Sequence, residues 1–292
     1  MNGIIIIDKP EGWTSHDVVA KLRGALRIKR VGHGGTLDPL ATGVLPIFVG
    51  RATRATSFCE NADKEYIAGL RLGIVTDTQD VSGNTLSECD VAVSADDLRD
   101  IIPGFLGTQM QIPPMYSAIK MGGKKLYELA RKGVEVERPA REIFISSIEL
   151  LESEGNDYLL KVACSKGTYI RTVCHDIGAA LGCGGIMSSL RRTRAGAFTI
   201  EMAHTLETVL EAINTDKTVD IIRPIDTIFS VYPAVKLSEA QMRKCLNGAP
   251  CSVANTADGT YRVYRTDEEF LALGEVKGSI LRVVKSFFST NG

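Results

Sequence analysis

Residues 31–45 read VGHGGTLDPLATGVL, so that glycines, one histidine and one aspartate are packed between short apolar runs. The carboxylate of Asp38 stands directly before Pro39, and two interpretations of it compete. In the first, Asp38 caps a single helical turn, DPLAT, that is closed by Gly43. In the second, the glycines let a large substrate approach the backbone closely, and Asp38 does chemistry on that substrate. The local pattern by itself favours the helical turn. Evidence from the rest of the chain is needed to choose between the two interpretations.

The composition is that of an ordinary globular protein. The chain has 292 residues, of which 44% are hydrophobic and 24% are charged, and its formal net charge is -1. A chain of this length buries one large core and has room for a small second domain. The longest apolar run, GIIIID at the start, is too short for a membrane span, which needs about 20 residues. No basic region precedes it as in a signal peptide, so we expect a cytoplasmic protein without a membrane segment.

The cysteine and histidine patterns do not indicate a metal site or a nucleotide site. The seven cysteines are an odd number and form no C-x-x-C pair, so we expect them to be reduced and mostly buried. None of the four histidines stands at metal-ligand spacing from a second ligand. No Walker or Rossmann glycine pattern occurs between a predicted strand and a predicted helix. The sequence therefore predicts that no metal ion and no cofactor is needed.

Basic and acidic residues are segregated along the chain despite the small net charge. Residues 115–141 carry seven basic side chains against three acidic ones. Two more basic clusters lie at residues 23–30 and 191–194, whereas acidic residues gather at 77–100. One basic run is usually a solvated helix face. Three runs separated from the acidic residues predict an anionic polymer as the partner.

Hydrophobic periodicity predicts strands and helices in mixed order. The first strand, at residues 3–8, is followed by a Pro-Gly turn and by a helix that we expect Ser15 to cap. Ser94 and Asp97 have the spacing of a capping box at the start of another helix. Further strands are predicted at residues 43–50 and 64–73 and on both sides of a turn at 154–156, and further helices at 124–133, 170–182 and 238–248.

The predicted elements do not follow the regular period of a doubly wound sheet. We therefore expect an α+β fold with a mixed, largely antiparallel sheet. After residue 230 the pattern changes to one helix followed by short strands between Gly and Asp turns. This change predicts a domain boundary near residue 230.

Two other stretches carry side chains that complement Asp38. DKEYIAG places Tyr66 in a predicted strand, and SKGTYIRT places Tyr169 and Arg171 where a strand gives way to a helix. Tyrosines are usually core or rim residues, so these stretches by themselves indicate no function.

Five motifs occur together and in one order: GHGGTLDPLATGVL, KEY, PPMYSAIKMGGKKLYELAR, SKGTYIRTVCHDIG and SLRRTRAG. On these motifs the sequence resembles the TruB family, the bacterial tRNA pseudouridine synthases that convert uridine 55 in the T arm. The resemblance covers roughly residues 3–200, and Gly34 stands where relatives often carry Thr. It implies a pseudouridine synthase catalytic domain at residues 1–230, with a basic RNA-clamping insertion at about 113–143. Residues 231–292 resemble the small PUA-like RNA-binding domain in length and general character only.

The resemblance also implies roles for three catalytic residues. Asp38 matches the covalent nucleophile, and the sequence leaves open whether it attacks the ribose or the base. Arg171 matches the partner that keeps this carboxylate ionised and oriented. Tyr66 matches the tyrosine on which the flipped uridine stacks and which helps to remove the proton from C5.

Substrate-binding residues follow in the same way. His33 matches the histidine that supports the disrupted T loop, and Tyr169 and Leu190 match residues that line the uridine pocket. In the insertion, Lys124 and Lys125 suit phosphate contacts, and the glycine pair between Met121 and Lys124 suits a hinge. The implied partner is the T stem-loop of tRNA, bound by a monomer that needs no obligate protein partner.

Three alternative functions share some of these features. A non-catalytic RNA-binding or RNA-folding protein would use the same surfaces, but it would not need Asp38, Tyr66 and Arg171. A pseudouridine synthase with other RNA targets fits the same motifs. An aspartate-nucleophile phosphatase needs a D-x-D start and Mg²⁺, whereas residues 36–40 read TLDPL.

Overall fold

Secondary structure is mixed along the whole of residues 1–288, the part of the chain that the structure, a computed structural model, describes. The helices are α1 (Ser15–Leu26), α2 (Thr56–Asn61), α3 (Ala95–Ile101), α4 (Leu126–Ala130), α5 (Ile170–Ala180), α6 (Leu206–Asn214) and α7 (Glu239–Leu246). The strands up to the middle of the chain are β1 (Gly3–Lys9), β2 (Val31–His33), β3 (Thr42–Val49), β4 (Lys64–Leu72), β5 (Ile74–Thr76), β6 (Thr85–Glu88), β7 (Gly107–Gln111), β8 (Lys120–Met121) and β9 (Lys124–Lys125). The later strands are β10 (Arg141–Glu154), β11 (Asp157–Cys164), β12 (Gly185–Ala195), β13 (Phe198–Thr199), β14 (His204–Thr205), β15 (Ile222–Arg223), β16 (Ala234–Lys236), β17 (Cys251–Ser252), β18 (Gly259–Tyr264), β19 (Phe270–Lys277) and β20 (Ile280–Ser286).

The chain divides into two compact units, and each unit is assembled from separated stretches of sequence. Unit 1 contains residues 1–38 and 44–60 and the chain from Gly196 onward. Unit 2 contains residues 39–43 and 61–195.

Unit 1 is built around the isoleucine run at the N-terminus. This run forms β1, which is almost fully buried and pairs in parallel with β14 and antiparallel with β15. In the same unit β2 pairs antiparallel with β3, so that Val31 lies opposite Val49. The predicted strands at residues 3–8 and 43–50 are thus confirmed.

The first helix begins at Ser15, but Ser15 is not its cap. Thr14 is the N-cap: its hydroxyl accepts a hydrogen bond from the Asp17 N–H at 3.1 Å, and the Asp17 carboxylate accepts one from the Thr14 N–H at 2.9 Å. The Thr14 hydroxyl also donates to the Asp17 carboxylate at 2.6 Å, and this bond, followed by the one from the Thr14 N–H, lowers the pKa of Asp17. The reciprocal pair satisfies the exposed end of the helix, which leaves the Ser15 hydroxyl available for a contact outside α1.

Unit 2 is built on an antiparallel run of strands in the order β12, β4, β11, β10 and β7. The first two residues of β3, Thr42 and Gly43, add a parallel pairing to β12. On α5, Val173 and Ile177 are buried, as the periodicity of that segment predicts. The predicted α+β class with a largely antiparallel sheet is confirmed.

The strands from β16 onward form a sheet of their own within unit 1, in the order β16, β18, β19, β20 and β17. Its core contains Leu237 and Val263, together with Cys245 of α7. The last four residues of the predicted 231–292 domain lie outside the described residues.

An aromatic cluster connects this sheet to earlier residues of unit 1. The ring of Phe229, which is 1% exposed, lies 5.0 Å from that of Phe58, 6.0 Å from that of Phe270 and 5.7 Å from that of Phe287. Tyr264 donates a short hydrogen bond to Asp226, and burial, followed by this contact, raises the pKa of Tyr264 to about 12. The last sheet therefore shares buried side chains with the segment that precedes it.

Within residues 1–288, no helix has the length and apolar character that crossing a membrane would require.

Candidate active site

The loop that carries Asp38, residues 34–41, has no helical turn. Its middle has no regular structure, a bend occupies Pro39 and Leu40, and β3 already begins at Thr42. The prediction of a helical turn closed by Gly43 is therefore wrong. The cause is long-range, because the end of DPLAT pairs with a strand almost 150 residues further along the chain. Asp38 itself is half-buried.

Ser15 holds the backbone on the N-terminal side of Asp38. Its hydroxyl accepts a hydrogen bond from the Leu37 N–H at 2.8 Å and lies 3.2 Å from the Leu37 carbonyl oxygen, to which it donates. Ser15 is 1% exposed and Leu37 is 4% exposed. One buried hydroxyl thus satisfies both backbone groups of the residue before Asp38.

Gly43 holds the backbone on the other side of the loop. Its φ is +97°, and a Cβ added there would lie 2.2 Å from the Arg192 carbonyl oxygen, so that only glycine fits. Arg192 of β12 lies in register with Gly43 on one side and with Tyr66 of β4 on the other. Tyr66, which is 9% exposed, therefore lies two strands from Gly43, the second residue of the strand that follows the Asp38 loop.

Gly34 has a steric explanation. A Cβ at this position would lie 2.7 Å from both the Cys59 sulfur and the Phe48 ring. These two side chains fill the space that a threonine side chain would need, which explains why glycine fits here.

Arg171 is a buried cation with identified partners in unit 2. It is the second residue of α5 and is 5% exposed. Nη2 donates to the Tyr116 carbonyl at 2.9 Å, and Nη1 donates to the Thr78 carbonyl at 3.2 Å. Nη1 also lies 3.5 Å from a carboxylate oxygen of Asp80, whose side chain is as buried as that of Arg171. The guanidinium is thus fixed in orientation by three different groups.

The carboxylate of Asp80 is in turn held by hydrogen bonds. One carboxylate oxygen accepts from the Thr78 hydroxyl at 2.7 Å and from the Ser82 N–H at 2.9 Å and hydroxyl at 2.5 Å. The Gln79 carbonyl and the Val81 N–H pair with the backbone of Met187 on β12. The segment that supports Arg171 is therefore attached to the same strand that pairs with Gly43 and Tyr66.

Sequence reasoning missed Asp80, which it counted only among the acidic residues at 77–100. A signal for it was present, because an aspartate two residues before a serine is the pattern of an Asx turn. That pattern indicates an ordered carboxylate, but only the fold shows that it faces Arg171.

Tyr169 and Leu190 lie on elements next to those of Tyr66 and Arg171. Tyr169 is the N-cap residue of α5, and its N–H and carbonyl both bond to the side chain of the buried Gln111, at 2.8 and 3.1 Å. Leu190 is half-buried on β12. Unit 2 thus brings four of the predicted site residues onto β4, α5 and β12.

The basic insertion folds as a hairpin followed by a short helix. β8 and β9 are joined by Gly122 and Gly123, whose φ values are +56° and +83°. Two consecutive residues with positive φ make a tight hairpin turn, and the glycine pair adopts this turn; its role as a hinge stays a prediction. The turn exposes Lys124, while Lys125 is half-buried, with its ammonium 5.3 Å from the Tyr127 ring.

His33 lies in unit 1, at the end of β2. Its ring packs edge-on against His16, with 5.2 Å between the ring centroids. Both line a groove of about 380 Å³ that also contains Arg23, Lys29 and Arg30. This groove has the charge to bind an anion.

Among residues 1–288, His, Cys, Asp and Glu side chains form no group of three or more that could hold a metal ion.

Solved structures identify the class to which this fold belongs. In a crystal structure of a Cbf5-Nop10-Gar1 complex, the similar chain is 30% identical, with a TM-score of 0.76, and the match covers 99% of this chain and 86% of that one. A structure of an H/ACA RNP bound to a substrate RNA containing 2'-deoxyuridine gives a TM-score of 0.75 at 29% identity, with the same coverage. The fold and these similarities place the chain among the pseudouridine synthases.

The family follows from the sequence matches. Residues 23–170 match the family model for the TruB family pseudouridylate synthase N-terminal domain, and residues 171–230 match that for the tRNA pseudouridylate synthase B C-terminal domain. The chain belongs to the TruB family, which confirms the resemblance seen in the motifs.

Its curated relatives cover nearly the whole chain. It is similar to tRNA pseudouridine synthase B of Clostridium kluyveri, with 44% identity over 292 residues, 98% of this chain and 100% of that protein. The protein of the same name from Alkaliphilus oremlandii is 48% identical over 248 residues, 85% of this chain and 82% of that protein.

Proposed function

We propose that this chain converts uridine 55 in the T loop of tRNA into pseudouridine, with Asp38 as the covalent nucleophile. The observation that carries the proposal is the position of Asp38 in a loop whose backbone is held by Ser15 before it and by Gly43 after it. The names of relatives that are 42–48% identical, all tRNA pseudouridine synthase B, support the substrate.

The reaction needs a nucleophile and one proton exchange. The bond between N1 of the base and C1' of the ribose breaks, the base turns while it stays bound, and C5 forms the new bond to C1'. C5 loses a proton and N1 ends with one, so no oxidant and no group donor takes part. The Asp38 carboxylate attacks the ribose or the base ring and leaves again once the new bond has formed.

Arg171 and Tyr66 have separate roles in this proposal. The guanidinium of Arg171, held by two carbonyls and by Asp80, orients the nucleophilic carboxylate. Tyr66 stacks on the flipped uridine, and its phenol helps to remove the C5 proton. Tyr169 and Leu190 line the uridine pocket.

RNA binding is assigned to basic surfaces in both units. Lys124 and Lys125 of the insertion contact phosphates, and residues 231–292 form a PUA-like domain that adds affinity. In unit 1 the groove of His33, Arg23 and Arg30 suits the phosphates of the T loop. We propose that the chain acts as a monomer without a protein partner.

The decisive experiment uses a tRNA transcript labelled with tritium at C5 of its uridines, together with chemical mapping of pseudouridine. The expected result is tritium release from one site, position 55, and no release from a matched transcript with cytidine there. Binding without any release would favour the RNA-folding alternative. Release from several positions would favour a synthase with other RNA targets.

A further inference from the structure

Two cysteines that the proposed reaction does not use lie next to each other in unit 2. The thiol of Cys89, which follows β6, donates to the carbonyl oxygen of Cys183 at 2.8 Å. Gly73 connects the same two segments, because its carbonyl accepts from the Cys89 N–H at 2.9 Å and its N–H donates to the Gly184 carbonyl at 3.1 Å. The backbone therefore holds Cys89 beside the turn between α5 and β12.

This contact brings the two cysteines near the separation that a disulfide requires. A sulfur 2.8 Å from the other cysteine's carbonyl oxygen limits the separation of the two Cα atoms to about 8 Å, and disulfides form below about 7 Å. Cys183 lies in the stretch LGCGG, where Gly182 and Gly184 have φ values of +75° and +72°. Glycines on both sides give this turn the backbone freedom to close the remaining distance.

The two thiols differ in access. Cys89 is exposed and lines an open groove of about 910 Å³, whereas the other six cysteines are buried. Burial raises the pKa of Cys183, so its thiol is the poorer nucleophile toward an oxidant in solution. An oxidant thus reacts first at Cys89, and Cys183 is placed to react second.

We propose that Cys89 and Cys183 form an intramolecular disulfide when a peroxide oxidises this protein. The Cys89 thiolate attacks hydrogen peroxide, which breaks the O–O bond, leaves a sulfenic acid on Cys89 and releases hydroxide. The Cys183 thiolate then attacks that sulfur, so that the S–S bond forms and a second hydroxide leaves. The two thiol protons convert both hydroxides to water, and two electrons pass from the sulfurs to one peroxide.

The bond would join two segments that support Arg171. One segment comes from the hairpin of β5 and β6, whose connecting loop contains Asp80. The other is the turn at the C-terminal end of α5, the helix that carries Arg171. A disulfide across them restricts the unfolded chain, so the oxidised protein should unfold several degrees higher than the reduced one.

The test treats the fully reduced, full-length protein with one equivalent of hydrogen peroxide and counts free thiols after denaturation. Five of the seven thiols should remain free. Peptide mass spectrometry without reductant should show Cys89 linked to Cys183, and dithiothreitol should reverse the shift in unfolding temperature. The variant Cys89→Ala, which changes an exposed residue, has six thiols, and all six should stay free after the peroxide treatment. The matched control Cys251→Ala, which removes a buried cysteine, should still lose two.

Seven free thiols after oxidation of the unaltered protein would overturn the proposal. So would a link between Cys89 residues of two copies, a sulfinic acid at Cys89, or the oxidation of two thiols in Cys89→Ala. None of these readouts depends on turnover, so they stand apart from the test of the proposed function.

Discussion

Arg171 is 5% exposed, so its guanidinium is largely removed from solvent. The cost of burying Arg171 is met by the carbonyls of Thr78 and Tyr116 and by the carboxylate of Asp80. These contacts fix the guanidinium before any substrate arrives. A residue prepared in this way can orient a second carboxylate without reorganisation during the reaction.

At Asp38, the change to Asn separates the two interpretations of the opening motif. Asn keeps the shape of the side chain but removes the charged attacking oxygen, so turnover should disappear while folding and tRNA affinity persist. The variant should remain folded, because the shape of the side chain is kept. Tritium release, filter binding and thermal unfolding measure the three quantities. Asp96→Asn, on the exposed face of α3, is the control that should leave all three unchanged, and near-normal release by Asp38→Asn would remove Asp38 from the catalytic role.

At Asp80, replacement by Ala should reduce both stability and turnover. The change leaves the charge of Arg171 buried without its carboxylate, which costs about 3 kcal/mol or more. Urea unfolding measures the stability, and single-turnover kinetics with saturating enzyme measure the chemical step. Asp77→Ala is the matched control, because the Asp77 carboxylate accepts hydrogen bonds from Asn84 at the surface. Equal losses in the two variants would mean that Asp80 has no special relation to Arg171.

At the start of α1, two neighbouring residues are expected to differ in their effects. Loss of one should reduce stability only, and loss of the other should also disturb the position of Asp38. Thr14→Ala removes the helix cap at a cost of about 1 kcal/mol. Ser15→Ala leaves the buried Leu37 N–H without its partner at a cost of about 1–3 kcal/mol. Both should lower the unfolding temperature, but only Ser15→Ala should also lower kcat, because Asp38 follows Leu37 directly. A normal kcat in Ser15→Ala would show that the Asp38 loop does not need this contact.

The lysines of the basic insertion are expected to contact phosphates of the tRNA. Replacing Lys124, Lys125 and Lys132 by Ala should weaken tRNA binding and flatten its dependence on salt, by roughly one unit of slope for each phosphate that is no longer bound. Lys217→Ala, an exposed lysine just beyond α6, is the control for a single removed charge. Binding measured across a range of salt concentrations gives the slopes. An unchanged slope in the triple variant would make these lysines part of a solvated surface.

The elements that the sequence predicted correctly are those whose structure depends on neighbouring residues. The capping box of Ser94 and Asp97 is present as expected, and the turn at 154–156 joins β10 to β11, because both depend only on neighbouring residues. DPLAT was mispredicted since its conformation depends on pairing with β12, which no local pattern records. The role of Ser15 was missed for the same reason: its partner is 22 residues away. The motif still singled out Asp38 as the candidate nucleophile, because that prediction rests on residue identity and not on the local backbone conformation.

At the scale of the whole molecule, the sequence did not predict that each unit would combine distant stretches. A change of pattern near residue 230 indicated a boundary, and the sheet of β16 to β20 begins just after it. That sheet nevertheless belongs to unit 1, since its Phe270 and Phe287 pack on Phe229. Aromatic residues in three separate segments gave no periodic signal from which this contact could be read.

Truncation after residue 231 tests the proposed RNA-binding role of the last sheet and must allow for this packing. Removing Phe270 and Phe287 exposes Phe229 and Phe58, which should lower the unfolding temperature by several degrees. If the sheet binds RNA, the truncated chain should also bind tRNA more weakly, yet it should retain slow turnover on an isolated T stem-loop.

Phe229→Ala in the full-length chain separates the two effects of that truncation. It removes the same aromatic packing, at a cost of about 3–5 kcal/mol, but keeps every residue of the last sheet. Thermal unfolding should therefore fall in both variants, whereas the affinity for tRNA, measured by filter binding well below either unfolding temperature, should fall only in the truncated one. An equal loss of affinity in Phe229→Ala would assign the effect to stability and not to an RNA-binding surface. Undiminished affinity in the truncated chain would show that the catalytic part alone holds the tRNA.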